Sequence, residues 1–297
     1  MRFRRHGADL VVDAPAKLNL FLEVRGKRPD GYHELETLMV AIGLCDTLRF
    51  SPQAAPGVEL RAHFACDSDA QGFPLGEDNL IVRAAQLLAR TAGIERGVAI
   101  DVLKRIPPAS GLGGGSSDAA ATLVALNRLW GAGLGFDELD QLAAQLGSDL
   151  NFFIRSPLMA LCGGRGEIVE PRRLQRTLHF VVLRPPGGLS TAAVFREWRR
   201  DVHEPRSAAT LLDQLNNGGG TAINSLFNAL TAPAARLSDE IAAGLRALRD
   251  AGGDSALMTG SGSACFCLCE SARQARRVGS RLRQRAAGRV WVVNTGI

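Results

Sequence analysis

Apolar and polar side chains alternate along the first part of the chain. Within residues 16–24 every second side chain is apolar, which is the period of a β-strand with one buried face. Lys17 and Asn19 fall between these apolar positions, so the pattern predicts that they share the other face of the strand. A segment rich in Gly and Pro at residues 25–31 predicts a turn, and residues 35–44 predict a second strand after it.

Further along the chain, helical and strand patterns follow one another. Apolar positions three and four apart predict helices over residues 80–92, 137–146 and 241–248. Short apolar runs predict strands over residues 98–103 and 264–268. The segment of residues 203–221 is rich in Asn and Gly, and it predicts a surface loop.

The densest group of glycines in the chain leads directly into an Ala- and Leu-rich stretch that predicts a helix from Asp118 to Trp130. Glycines let the backbone come close to a ligand, and a helix N-terminus presents unsatisfied N–H groups and a positive dipole end. Together they favour phosphate binding, with Ser116 or Ser117 predicted as the N-cap. The residues of this loop are Pro107, Pro108, Ala109, Ser110, Gly111, Leu112, Gly113, Gly114, Gly115, Ser116 and Ser117.

Other interpretations of this loop fit less well. No Gly-Lys-Ser/Thr ends it, so it is not a Walker A loop. Two prolines separate it from the preceding strand, and Ser116 stands where a dinucleotide fingerprint has its third Gly. A flexible linker would not run straight into a strong helix.

The composition is that of an ordinary folded protein. The chain has 297 residues, of which 46% are hydrophobic and 22% charged, and these values exclude a disordered or collagen-like protein. The length allows two domains. Glycines return around Cys162, and we expect a boundary there between two lobes, residues 1–160 and residues 161–297.

Charge and hydropathy favour a small-molecule ligand. With 35 basic and 30 acidic residues the net charge is +5, which suits an anionic ligand but is too small for a nucleic-acid-binding surface. No window approaches the roughly 18 uncharged apolar residues of a membrane helix, and the first residues lack the apolar core of a secretory signal. We therefore expect a cytoplasmic monomer or homodimer without a nucleic-acid or membrane partner.

Two further clusters have structural interpretations. Cys265, Cys267 and Cys269 point to one side of a predicted strand without a nearby His, so they are expected to be small buried hydrophobes. Seven arginines from Arg273 to Arg289 flank an apolar stripe and predict a helix with a solvated basic face.

The glycine loop resembles the phosphate loop of the GHMP kinases, a family named for galactokinase, homoserine kinase, mevalonate kinase and phosphomevalonate kinase. Other segments resemble the branch of this family whose substrate carries a cytosine base. They are residues 15–20, 30–33, 78–83, 146–149, 164–167 and 259–262. The resemblance implies a two-lobed α+β fold, with a ribosomal S5-like N-terminal lobe and a ferredoxin-like C-terminal lobe. It also implies phosphorylation of an alcohol with ATP as donor and Mg²⁺ as cofactor.

The resemblance also implies roles for single residues. Lys17 and Asp149 match the catalytic pair of the family, in which a carboxylate accepts the hydroxyl proton beside an ammonium group. Where the family has a proline two residues after the aspartate, this chain has Asn151, which would loosen the segment or add a hydrogen bond.

The remaining roles concern binding. Tyr32 and Phe195 match aromatic residues that hold the two faces of the cytosine ring, and His33 matches a residue that bonds its edge. Asn19 is expected to hydrogen-bond the substrate. Asn79 is expected to lie near the adenine of ATP, and capping of a helix is the alternative role for this residue. The loop of residues 107–117 is expected to surround the phosphates of ATP.

Two other functions stay open on the sequence alone. One is a GHMP kinase for a different small molecule, such as mevalonate, against which the segment Asp30-Gly-Tyr-His33 argues. The other is a catalytically silent sensor of a nucleotide or sugar, against which the presence of both Lys17 and Asp149 argues.

Overall fold

The computed structural model describes residues 1–198, 204, 206–217, 224–285 and 287–296. In chain order the strands are β1 (Arg2–His6), β2 (Asp9–Lys27), β3 (His33–Gln53), β4 (Val58–Phe64), β5 (Gly97–Lys104), β6 (Met159–Gly163), β7 (Ile168–Arg172), β8 (His179–Arg184), β9 (Phe227–Asn228), β10 (Leu257–Met258), β11 (Cys265–Cys269) and β12 (Arg289–Asn294). The helices are α1 (Leu80–Ala92), α2 (Gly114–Trp130), α3 (Phe136–Leu146), α4 (Leu150–Arg155), α5 (Thr191–Glu197), α6 (Ala209–Asn217), α7 (Thr231–Leu237), α8 (Asp239–Asp250) and α9 (Ala272–Gln284).

The first sheet is built around the long antiparallel pair β2 and β3. Its main path runs β1-β2-β3-β5-β4, while β6 pairs with β3, β7 with β6, and β9 with β2. Both long strands extend well beyond the predicted ranges. The middle of β2 is buried on both faces, so the simple alternation of the sequence marks only part of it. The start of the strand, through Leu10, Val12 and Ala14, shares a core with α1 and α2. Ala16, Leu18 and Leu20 share a second core with the other sheet.

The second sheet is antiparallel in the order β10-β11-β8-β12 and belongs to the C-terminal half of the chain. One of its faces packs on α8 and α9, and the cysteines of β11 lie on that face, buried and free of disulfides. Its other face contributes Phe180 and Phe266 to the core shared with β2 and β3.

The expected burial of the three cysteines is confirmed. The two-lobed α+β fold is confirmed as well, whereas the boundary at residue 160 stays a prediction.

Two predictions about local structure were wrong. Helix α2 begins earlier than expected, because Gly113 takes a left-handed conformation (φ +74°) and is the N-cap, so Ser116 and Ser117 lie inside the first turn. Residues 203–221 do not form a loop throughout, since residues 209–217 are α6; the other positions of that segment lie largely outside the described residues. Leu211 and Leu215 of α6 are fully buried, so tertiary packing outweighs the loop-like composition.

Within the described residues, no helix is both long enough and apolar enough to cross a membrane.

Candidate active site

The glycine loop lies between strand β2 and the segment that connects β10 to β11. The backbone N–H of Lys17 donates to the carbonyl of Leu112 at 2.9 Å, and the N–H of Ala264 donates to the carbonyl of Ser110 at 2.9 Å. The loop is therefore fixed from both halves of the chain, and the N-terminus of α2 opens beside Lys17.

The protein itself requires several of the loop glycines. Gly111 has φ +77°, and a Cβ there would stand 2.3 Å from the carbonyl oxygen of Thr259. A Cβ on Gly114 would stand 2.8 Å from the Ile106 side chain. Gly115 differs, because the nearest atom to its Cβ position is a Leu80 methyl at an ordinary 3.7 Å. A small side chain at Gly115 would therefore leave the protein packing intact and would affect only a ligand bound at this position.

A buried charge cluster lies directly beneath the loop. Lys104 Nζ donates to the Asp118 carboxylate at 2.5 Å and to the Asp46 carboxylate, and all three side chains are buried. Asp46 also accepts from the backbone N–H groups of Arg105 and Ile106. Burial raises the pKa of the Asp118 carboxyl well above its ordinary value, and the charge of Asp46 adds to this. The cluster joins β5 to the second turn of α2 and so fixes the start of the helix.

Lys17 and Asp149 form the ion pair at the centre of the site. Lys17 Nζ lies 3.3 Å from Asp149 Oδ2 and donates to Asn19 Oδ1 at 2.6 Å, so Lys17 and Asn19 share a strand face as predicted. The Lys17 side chain is 3% exposed and that of Asp149 29% exposed. The carboxylate thus faces solvent, where a substrate hydroxyl can reach it, while the ammonium group is held behind it.

Asp149 immediately precedes α4, and Asn151 secures that helix. The Asp149 side chain makes no capping hydrogen bond, so the carboxylate is not used to stabilise the helix. Asn151 Nδ2 donates to the backbone carbonyl of Asp140 at 2.9 Å. In place of the fixed proline backbone, this chain ties the Asp149 segment to α3 by a side-chain hydrogen bond.

The residues expected around the cytosine ring divide into two groups. His33 stacks on Phe195, with ring centroids 4.9 Å apart and planes 24° apart, and its edge meets Trp198. Tyr32 is exposed, and the guanidinium of Arg165 lies 4.7 Å from its ring centroid. Burial lowers the pKa of His33, with a smaller effect from the charge of Lys27, and both favour the neutral imidazole.

Arg165 and Trp198 were not assigned a role from the sequence. Arg165 belongs to the segment of residues 164–167, which is one of the segments that carry the resemblance. Its guanidinium comes to lie over the Tyr32 ring only because β6 pairs with β3 and β7 pairs with β6. Trp198 follows α5 directly, and no sequence spacing relates it to His33.

Asn79 caps α1, the alternative role considered above. Its Oδ1 accepts from the N–H of Ile81 at 2.8 Å, and its Nδ2 donates to the carbonyl of Pro74 at 2.6 Å. Leu80, the next residue, lies beside Gly115 of the loop. A contact between Asn79 and adenine stays a prediction.

A helix-terminal glycine loop and a buried Lys beside an accessible Asp, set in this pair of sheets, define a phosphotransferase of the GHMP kinase class. Residues 79–156 match the family model "GHMP kinases N terminal domain", and residues 204–288 match "GHMP kinases C terminal". A homoserine kinase from Cytophaga hutchinsonii shares the fold, with a TM-score of 0.72 at 19% identity, over 99% of this chain and 98% of that structure.

The similarity to one branch of this class is much closer. The 4-diphosphocytidyl-2-C-methyl-D-erythritol kinase of Pelotomaculum thermopropionicum is 41% identical over 91% of this chain and 93% of its own length. That of Chromohalobacter salexigens is 44% identical over 91% and 88%. The crystal structure of a 4-(cytidine 5'-diphospho)-2C-methyl-D-erythritol kinase has a TM-score of 0.82 at 38% identity, covering 97% of this chain and 100% of that one. The chain belongs to this family of kinases.

Proposed function

We propose that the protein transfers the γ-phosphoryl group of ATP to the C2 hydroxyl of 4-diphosphocytidyl-2-C-methyl-D-erythritol, a step in the non-mevalonate route to isoprenoid precursors. The observation that supports the chemistry best is the Lys17–Asp149 pair, at 3.3 Å, with only the carboxylate accessible. The choice of substrate is supported by the kinases named above.

In this mechanism Asp149 accepts the proton of the C2 hydroxyl as the oxygen of that hydroxyl attacks the γ-phosphorus and ADP leaves. Lys17 stabilises the negative charge that develops on the attacking oxygen and on the transferring phosphoryl group. Because Lys17 is held by Asn19 at 2.6 Å, the ammonium group is already in position before the substrate binds.

ATP phosphates are proposed to bind at the N-terminus of α2, where the first N–H groups of the helix are unpaired within it. Mg²⁺ neutralises charge on the transferring phosphoryl when it is bound. The described residues contain no group of three or more His, Cys, Asp or Glu that could hold a metal, so most ligands would be phosphate and water oxygens. Ser117 Oγ, buried and without a hydrogen-bond partner among the described residues, is the protein oxygen that would fit such a cation.

Gly115→Ala tests the phosphate loop without disturbing its packing. The added methyl group meets only Leu80 at 3.7 Å, and Ala is a better helix former than Gly, so the melting temperature should stay equal or rise. A phosphate held against this backbone would meet the methyl group, so Kd for ATP measured by calorimetry should rise by about tenfold. Unchanged ATP affinity in a folded Gly115→Ala protein would exclude phosphate from this position.

The cytosine base is proposed to stack on Tyr32 and Phe195, with His33 bonding its edge. Because His33 stacks on Phe195 in this structure, the base would take the other face of Phe195 or displace the imidazole. Arg165, over the Tyr32 ring, would then supply positive charge close to the diphosphate.

Tyr32→Ala should lower kcat/KM for the cytidine substrate by roughly 10-fold to 100-fold, because base stacking contributes about 1–3 kcal/mol. The Kd for ATP should stay the same, since ATP binds elsewhere. Phe136→Ala, which removes another exposed aromatic ring at the start of α3, is the matched control and should leave both constants unchanged.

A truncated substrate separates this proposal from a kinase of broader specificity. On 2-C-methyl-D-erythritol 4-phosphate, which lacks the cytidine, the wild-type protein should be far less efficient, and Tyr32→Ala should make little further difference. Equal wild-type efficiency on both compounds would favour the alternative GHMP kinase.

We further propose that the protein is cytoplasmic and acts as a monomer or homodimer without a nucleic-acid or membrane partner. The modest net charge of +5 supports this. Sedimentation velocity of the purified protein distinguishes the two oligomeric states.

A further inference from the structure

We propose that Thr259 is a positioning residue for the phosphoryl transfer, because its hydroxyl reaches from the C-terminal half of the chain to Asn19 and fixes the group that holds Lys17. The inference rests on the function proposed above. It deepens that function by assigning a task to a residue whose side chain is fully buried.

The hydroxyl of Thr259 makes two hydrogen bonds with Asn19. It accepts from the backbone N–H of Asn19 at 3.0 Å and donates to Asn19 Oδ1 at 3.1 Å. The same Oδ1 accepts from Lys17 Nζ at 2.6 Å. One amide oxygen is therefore shared by the catalytic ammonium group and by a hydroxyl 240 positions away in the sequence.

The opposite end of the Asn19 amide is fixed as well. Asn19 Nδ2 donates to Thr37 Oγ1 at 2.8 Å, and Thr37 Oγ1 donates to the carbonyl of Phe21 at 2.7 Å. A flipped amide would point its NH₂ group at Lys17, which has no acceptor. The contacts therefore permit one orientation of Asn19, and that orientation presents the oxygen to Lys17.

Thr259 is itself held rigidly. Asn228 Nδ2 donates to the carbonyls of Met258 and Gly260, on either side of Thr259, at 2.8 Å each. The N–H of Thr259 donates to the carbonyl of Ala264 at 3.0 Å. A Cβ on Gly260 would stand 3.3 Å from Lys17 Nζ, so this backbone also limits where the ammonium group can lie.

Burial determines which kinetic constant responds to loss of the hydroxyl. Thr259 is 0% exposed, so its hydroxyl offers no surface to a ligand. Loss of the hydroxyl would leave the Asn19 N–H without its acceptor and allow the amide and Lys17 to shift. Small misplacements of a catalytic group lower kcat, whereas ligand binding is unaffected.

Three variants test this. Thr259→Val keeps the shape but removes the hydroxyl, and it should lower kcat by about tenfold with KM for both substrates within about twofold. Thr259→Ser restores the hydroxyl and should return kcat to near the wild-type value. Thr295→Val is the matched control, because Thr295 is buried in the same half of the chain and its hydroxyl also accepts a backbone N–H, from Leu178 at 3.0 Å. It should lower the melting temperature without changing kcat.

The outcomes are distinguishable. Absence of turnover in the wild-type protein would contradict the proposed function, whereas normal kcat in Thr259→Val would overturn the positioning role alone. The role would also be overturned by an equal loss in Thr259→Ser, or by an increase in KM that accounts for the whole loss. If Thr259→Val does not fold, Thr259→Ala takes its place with the same criteria.

Discussion

Replacement of Asp149 by Asn should lower kcat by roughly 100-fold or more while leaving KM for both substrates nearly unchanged. The amide has the size of the carboxylate but cannot take up the proton of the substrate hydroxyl. Since the Asp149 side chain makes no capping hydrogen bond, α4 loses no cap, and any loss of stability should come only from the weakened pairing with Lys17. Steady-state kinetics with a melting curve for each protein measures both effects.

Asp137→Asn is the control for this prediction. Asp137 lies in the first turn of α3, and its side chain is almost wholly exposed, so the same chemical change there should leave kcat unaltered. Near-normal turnover in a folded Asp149→Asn protein would remove Asp149 from the role of base.

Lys17→Met should also lower kcat by roughly 100-fold, because the thioether fills most of the space of the lysine side chain but carries no charge to stabilise the transferring phosphoryl group. Asn19 Oδ1 accepts from both Lys17 and Thr259. In the variant it would lose the bond from Lys17 and keep the bond from Thr259. The measurement is kcat for the single variant and for its combination with Asp149→Asn.

Because Lys17 and Asp149 act as a unit, the double variant should be little slower than either single variant. Fully multiplicative losses would mean that the two side chains act independently. Such a result would contradict the arrangement in which the ammonium group stabilises the charge that the carboxylate helps to create.

The sequence identifies the parts of the site that are local along the chain. The alternation in residues 16–24 correctly predicts that Lys17 and Asn19 share a face, since strand geometry alone requires it. The helical pattern of residues 80–92 agrees with α1 at both ends, where Asn79 is the N-cap and Gly93, in a left-handed conformation, is the C-cap.

The parts that depend on tertiary contacts could not be predicted. Helix α2 starts at Gly114 because Gly113 adopts a positive φ, and the spacing of apolar residues does not predict that conformation. A hydrogen bond from Asn19 to the substrate stays a prediction, and the sequence does not show that the Asn19 amide oxygen is shared by Lys17 and Thr259. The bond to Thr259 joins positions in opposite halves of the chain, so no motif spacing reveals it.

The most direct test is a single-turnover reaction with excess protein, [γ-³²P]ATP and 4-diphosphocytidyl-2-C-methyl-D-erythritol, followed by NMR assignment of the phosphorylated carbon. The account predicts one new phosphate ester at C2, formed with release of ADP and formed roughly 100-fold or more slowly in Asp149→Asn. Phosphate at another carbon, or no transfer to this compound while mevalonate or another alcohol is phosphorylated, would contradict it.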